Sequence, residues 1–167
     1  SRSAQQSSQP SEKGAAYFRF WELVIQRIAA EHRAWTTARQ SSVKSWLIVG
    51  RLPGAGEFVI SFTRDRVRHE LYIDESDAAR NLAMLEAIRT HLTTTKRDFA
   101  ATLSFEDLPS RRAKRVADYY PVAADVRNEA EWPQYIEWMI DSGSRMRDAL
   151  VGLRVPRVTV HDVTRDP

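Results

Sequence analysis

The sequence contains no cysteine and no long apolar run. Without cysteine there can be no disulfide, no thiolate zinc site and no cysteine nucleophile. No stretch approaches the roughly 20 apolar residues that cross a bilayer, and none near the start forms the apolar core of a secretory signal. We therefore expect a cytoplasmic protein with no membrane partner. The 167 residues, 43% of them apolar, are enough for one domain with one core.

Motifs for common catalytic chemistries are also missing. The chain has four histidines, and none is placed at metal-ligand spacing from another: His32, His69, His91 and His161. The glycine-containing turn at 52–56 joins two predicted strands, so it does not cradle a phosphate at a helix start. No serine lies in a nucleophile elbow. The sequence therefore predicts no cofactor, no histidine metal site and no catalytic residue.

The charge is weakly basic, at +3, and it is unevenly distributed. One basic cluster lies in a predicted hairpin, at Arg64, Arg66 and Arg68, and a second follows at Arg111, Arg112, Lys114 and Arg115. The stretch 125–141 is acidic and includes Glu129, Glu131 and Glu137. Such a balance permits contact with nucleic acid without requiring it. The acids could face the basic surface of another domain or of a second copy.

The first half of the chain predicts a helix followed by three strands. Residues 1–14 are rich in Ser and Gln, and we expect them to form a disordered linker. A helical apolar stripe then occupies 15–35, with Tyr17, Trp21, Val24 and Ile28 at its centre and Phe18, Ile25 and His32 widening it. Apolar and alternating patterns predict strands at 45–50, 57–63 and 67–73. The last two strands would form a hairpin.

The second half predicts helix, strand, strand, helix. A helix begins near Asp77 with the buried face Ala78, Leu82, Leu85, Ile88 and Leu92. Strands are predicted from the alternation at 99–105 and at 113–120, and Asn128 with Glu131 forms a capping-box signature before the last helix. The order α-β-β-β-α-β-β-α predicts an α+β fold, with an antiparallel or mixed sheet of about five strands on three helices. Residues 154–167 would be a tail or an edge strand.

The order helix, three-stranded meander, helix, strand is also that of the restriction-endonuclease-like nuclease core. The hairpin is therefore a candidate for a metal site. Such a site needs hard oxygen ligands and a nearby lysine. Glu57 and Glu70 lie on the two hairpin strands, but Tyr72 occupies the lysine position. Hairpin pairing is expected to place Glu57 near Ile73 and Asp74. The alternative metal set is therefore Glu57, Glu70 and Asp74.

The ordered segments YFRFWELV, SWLIVG, FVISFT, VRHELYI, LSFEDLPSRRAKRVADYY and DVRNEAEWPQYIEWMI carry a family resemblance. Over residues 15–153 the chain resembles domain-of-unknown-function family 4268, most specifically in LSFEDLP with RRAKRV and in DVRNEAEWP. It departs from the usual pattern at Phe105, where Trp is common, and at Arg68-His69. The resemblance implies a C-terminal accessory module that follows a nuclease-like N-terminal domain, in a bacterial DNA-related protein associated with genome defence.

Three hypotheses follow. The first is a non-catalytic recognition or regulatory module whose partner is the N-terminal nuclease-like domain or a second copy. The second is nucleic-acid binding through the two basic clusters, with Tyr72 or Tyr119 available for stacking. The third is a diverged metal-dependent nuclease. Whether the two basic clusters share one face separates the first two hypotheses.

Overall fold

A single antiparallel sheet packs one of its faces against three helices in this computed structural model, which describes residues 11–35 and 40–156. The strands lie in the order β1-β2-β3-β5-β4, with bounds β1 Trp46–Leu52, β2 Gly56–Phe62, β3 Val67–Ile73, β4 Ser104–Glu106 and β5 Lys114–Tyr119. The helices are α1 Glu12–Glu31, α2 Ala78–Thr95 and α3 Trp132–Ala149. The predicted α+β class and element order are confirmed, and the sheet is wholly antiparallel.

Helix α1 begins at Glu12, inside the stretch expected to be linker, because the Ser11 side chain accepts a hydrogen bond from Gly14 N at 3.0 Å. The four residues at the centre of the predicted stripe are buried. Phe18 is not part of the buried stripe, since 40% of this residue is exposed. The helix ends before His32, whose ring stacks on Trp35 at 3.9 Å. The rest of the predicted linker, residues 1–10, lies outside the described residues, as does 157–167 of the predicted tail.

The hairpin of β2 and β3 sets the register of the sheet. Glu57 lies opposite Tyr72, so the predicted pairing of Glu57 with Ile73 and Asp74 is displaced along the strand. On the helix-covered face, alternate residues of both strands enter the core, including Phe58, Ile60, Phe62, Val67, Leu71 and Ile73. The ring of Phe62 contacts Tyr17 and Phe20 of α1, which packs this helix against the end of β2.

The predicted strand over 99–105 is wrong for most of its length. Residues Asp98–Thr102 form a 3-10 turn, in which the Thr102 hydroxyl donates to the Phe99 carbonyl at 2.8 Å. Only Ser104–Glu106 pairs with β5. The alternation of Phe99, Leu103 and Phe105 arises because these side chains pack against the core from two different local structures.

Helix α2 is rotated relative to its predicted face. Leu85, Ile88 and Leu92 are buried as expected, but Ala78 is exposed and so is Leu82, at 41%. Asn81 is fully buried instead. Its side chain accepts from Glu75 N at 2.9 Å and donates to the carbonyls of Glu75 and Arg112 at 3.0 Å. These three hydrogen bonds compensate for the burial of the Asn81 amide.

Helix α3 begins differently from the prediction. The Asn128 side chain makes no capping hydrogen bond, and Glu129–Glu131 form a 3-10 turn before the helix starts with Pro in its first turn. Trp132 anchors the start, because its Nε1 donates to the Val126 carbonyl at 2.7 Å. The predicted stripe is confirmed as buried: Trp132, Ile136, Met139, Ile140, Met146 and Leu150. In the described ranges, no helix combines the length and apolarity needed to cross a bilayer.

Candidate functional site

The face of the sheet turned away from the helices, called here the open face, carries three rows of side chains that run across the strands. The first row is Trp46, Ser61, Arg68 and Tyr119. The second row is Ile48, Val59, Glu70, Ala117 and Ser104. The third row is Arg51, Glu57, Tyr72, Arg115 and Glu106. Alternation along β2, β3, β4 and β5 fixes this arrangement, and in β1 an irregularity between Ile48 and Gly50 brings Arg51 onto the same face.

Glu70 is the centre of an ion-pair network on the open face. Its Oε2 accepts a hydrogen bond from Arg68 Nε at 2.7 Å and lies 2.6 Å from Arg115 Nε, whose N–H is not aligned with it. Arg115 Nη1 also donates to Glu106 Oε1 at 3.2 Å. Burial raises the pKa of Glu70, whose side chain is only 4% exposed, and the two guanidinium groups oppose that shift. The network holds two arginines in fixed positions.

Cations accompany the aromatic rings of the same face. The Arg66 guanidinium lies 4.4 Å from the centroid of the Tyr119 ring, and the Lys44 ammonium lies 4.7 Å from that of Trp46. The Tyr119 hydroxyl donates to Glu106 Oε2 at 2.7 Å, and burial together with this carboxylate raises the pKa of Tyr119. Each ring therefore has a positive charge over one of its two faces.

A groove of about 380 Å³ runs along the open face. At one end it is lined by apolar side chains, and Trp46 and Ile48 there are 41% and 36% exposed. At the other end it is lined by Arg68, Arg111 and Arg115 with Tyr72. The groove therefore offers apolar contact and positive charge within one hollow.

The two predicted basic clusters meet on this face only in part. Arg68, Arg111 and Arg115 line the groove. Arg112 instead pairs with Asp74 at 2.8 Å, and the buried Lys114 pairs with Asp107 at 2.9 Å and donates to the Arg111 carbonyl. Lys114 lies opposite Ile73 and so belongs to the helix-covered side of the sheet. Arg64 and Arg66 are exposed at the hairpin turn.

The three carboxylates of the alternative metal set are engaged by arginines. Glu57 pairs with Arg51 at 3.3 Å, Glu70 lies in its network, and Asp74 pairs with Arg112. Glu57 and Asp74 do border a common hollow of about 300 Å³. Among the residues for which positions are described, no three histidine or acidic side chains lie together in a way that could hold a metal ion.

A buried polar network below α3 has no counterpart in the sequence predictions. Ser142 donates to Asp118 Oδ2 at 2.6 Å, and its hydroxyl lies 3.2 Å from His69 Nδ1. Burial, with a contribution from Arg147, lowers the pKa of the fully buried His69 to about 3. In a catalytic triad the imidazole stands between an accessible serine and the acid. Here the serine stands in the middle and is buried, so the network ties α3 to β3 and β5.

Arg147 forms a second buried contact between α3 and the sheet. Its guanidinium lies 3.9 Å from the Trp35 ring and 4.2 Å from the Phe58 ring. It donates to the carbonyls of Val49 at 2.7 Å and Gly143 at 3.1 Å. Burial lowers the pKa of Arg147 to about 10. The Val49 carbonyl lies at the irregularity in the pairing of β1 with β2, so Arg147 satisfies a group at a bulge.

Two acids at the start of α3 have partners within the chain. Glu129 pairs with Arg19 and Glu137 pairs with Arg27, both on α1. These ion pairs join the two helices along their exposed sides. The acidic stretch is therefore partly neutralised before any other surface meets it.

Comparison with family models gives one match. The model described as "Domain of unknown function (DUF4268)" matches residues 16–153, which is most of the chain. Comparison with curated proteins and with solved structures finds no match. The match covers every strand and helix except the first turn of α1.

Proposed function

We propose that this chain, which belongs to the DUF4268 family of domains of unknown function, is a non-catalytic recognition module that binds an anionic partner through its open face. The observation that carries the proposal is the groove bordered by Arg68, Arg111 and Arg115, in which Glu70 holds two of the three guanidinium groups in place. Prearranged arginines bind anions at a lower entropic cost than mobile ones.

The state of the carboxylates supports recognition over catalysis. A metal-dependent nuclease needs acidic side chains that can ligate a divalent cation and a cation that stabilises the developing charge. Glu57, Glu70 and Asp74 each face a guanidinium group instead. Releasing Glu70 for a metal would leave two half-buried arginines without their main partner, at a cost of several kcal/mol.

The wider setting also belongs to this proposal. We expect the module to follow a nuclease-like N-terminal domain and to serve a DNA-related, defence-associated protein in the cytoplasm. These expectations come from the sequence resemblance and stay predictions. The competing hypothesis is that the partner is a second copy of this chain. Sedimentation of the chain at several concentrations tests for this self-association.

The test of recognition uses anionic probes of different chemistry and a matched pair of charge reversals. Labelled single-stranded DNA, duplex DNA and oligoglutamate are titrated with wild type, Arg111→Glu and Arg89→Glu, and anisotropy is recorded. Arg111 lies on the groove, whereas Arg89 is on helix α2 at the covered side. We expect at least one probe to bind the wild type and to lose affinity only with Arg111→Glu. No binding by any probe, or equal loss in both variants, would contradict the proposal.

A further inference from the structure

We infer that the anionic partner of the open face is a single-stranded nucleic acid, whose bases stack on Trp46 and Tyr119 while its phosphates meet the adjacent cations. The inference rests on the proposed recognition function and narrows it to one class of partner. It is carried by the register of the first row, which places two aromatic residues at its two ends.

The spacing within this row suits separate bases. Trp46 on β1 and Tyr119 on β5 are three strand spacings apart, or about 14 Å. One base cannot stack on both rings at that distance, so each ring would take its own base. Ser61, small and 8% exposed, and Arg68 lie between them. The middle of the row thus holds a small side chain and a guanidinium group paired with Glu70, which leaves room for a backbone to pass from one ring to the other.

The cations are distributed to match a backbone. Lys44 lies over one face of the Trp46 ring, Arg66 lies over one face of the Tyr119 ring, and Arg111 lines the groove. Within the described ranges none of these three pairs with a carboxylate. They can therefore meet phosphates without breaking an ion pair. This is the combination of stacking platform and positive groove that binds single strands.

Two features of the face favour an unpaired strand over other polyanions. A duplex keeps its bases in the stack, so it would use the cations and leave the aromatic rings without partners. Oligoglutamate, which has no apolar or aromatic side chain, would likewise gain nothing from Trp46, of which 41% is exposed although it is a large apolar side chain. Of these three polyanions, the strand with free bases is the one that uses both the rings and the charges.

The experiment measures binding of a labelled oligothymidylate of about 12 nucleotides, a length within the site sizes of single-strand-binding domains. An abasic strand of equal charge, a duplex of equal length and oligoglutamate are compared by anisotropy. We expect the oligothymidylate to bind most tightly and to lose affinity as salt rises, and the abasic strand to bind roughly tenfold more weakly.

Substitutions test whether the bases stack on the aromatic residues of the first row. Trp46→Ala should weaken oligothymidylate binding roughly tenfold and leave binding of the abasic strand unchanged, while Trp46→Phe, which keeps an aromatic face, should restore most of the affinity. Phe18→Ala is the matched control, because Phe18 is equally exposed but lies on α1. Circular dichroism checks that each variant is folded.

The outcomes separate this inference from the proposed function. Equal affinity for the abasic strand, or tighter binding of the duplex, would overturn base stacking and leave anion recognition standing. If oligoglutamate alone binds, and Arg111→Glu abolishes that binding, base stacking is also overturned and anion recognition still stands. The open face would then be assigned to acidic proteins. If no probe binds, both proposals fail together.

Discussion

Acid should destabilise this domain through one histidine. His69 is fully buried against Phe58 and Ser142, and burial lowers its pKa from the ordinary 6.5 to about 3. In the unfolded chain the imidazole takes up a proton below about pH 6.5, whereas in the folded protein it stays neutral until about pH 3. The unfolded state therefore binds more protons in this window, and stability must fall as the pH falls.

The magnitude follows from the two pKa values. Relative to pH 8, His69 should lower the free energy of unfolding by about 1 kcal/mol at pH 6 and by about 2 kcal/mol at pH 5. The value at pH 5 hardly depends on how far below 4 the folded pKa lies. Burial raises the pKa of Asp118, so this carboxyl favours folding as the pH falls and opposes the effect of His69.

Urea denaturation at about pH 8, 6 and 5 measures the effect in wild type, His69→Gln and His91→Gln. We expect His69→Gln to lose the fall in the free energy of unfolding that His69 causes between pH 8 and pH 5. This variant should also be less stable than the wild type at pH 8. His91→Gln is the matched control, because it removes a histidine that is only partly buried and whose ring contacts the Ala149 carbonyl instead of the His69 network. Identical slopes in wild type and His69→Gln would refute a neutral, buried His69.

Three further predictions concern the open face and the β1 bulge. Glu70→Ala should lower the free energy of unfolding by about 3–5 kcal/mol in urea titrations, because it removes the buried carboxylate that Arg68 and Arg115 share, and Glu70→Gln should cost less. Gly50→Ala should cost about 1–3 kcal/mol by the same assay, since φ is +151° and a Cβ would lie 2.4 Å from a backbone oxygen. The purified chain should not cleave DNA or RNA with Mg²⁺ or Mn²⁺; cleavage that is lost in the triple variant Glu57→Gln, Glu70→Gln, Asp74→Asn would contradict this.

The elements that the sequence predicted well are those with a strong period and an apolar face. The stripe of α1 around Trp21 and that of α3 around Met139 are buried as expected, and the hairpin alternation is correct. Errors arose where a local pattern has two physical explanations. Apolar alternation around Phe99 suits a strand, but a 3-10 turn followed by a short strand buries the same side chains.

Polar residues in the core were beyond the reach of periodicity. Asn81 and Ser142 are buried because their partners come from distant parts of the chain, and no helical pattern identifies those partners. The same holds for the open face. The basic clusters were visible as composition, but the joining of Arg68 and Arg115 through Glu70 depends on β3 pairing with β5 across an intervening helix and strand.

The bulge in β1 has a consequence for how copies of this domain behave when concentrated. Edge strands expose backbone groups on which a neighbouring molecule can add its own strand and begin an aggregate. In β1 the Val49 carbonyl is occupied by Arg147 and the backbone of Trp35 presses against Gly50, while β4, at the other edge, is only three residues long. Neither edge offers a long uninterrupted template, so the sheet can leave one broad face uncovered by the helices that the structure describes while its borders resist adding strands from other molecules.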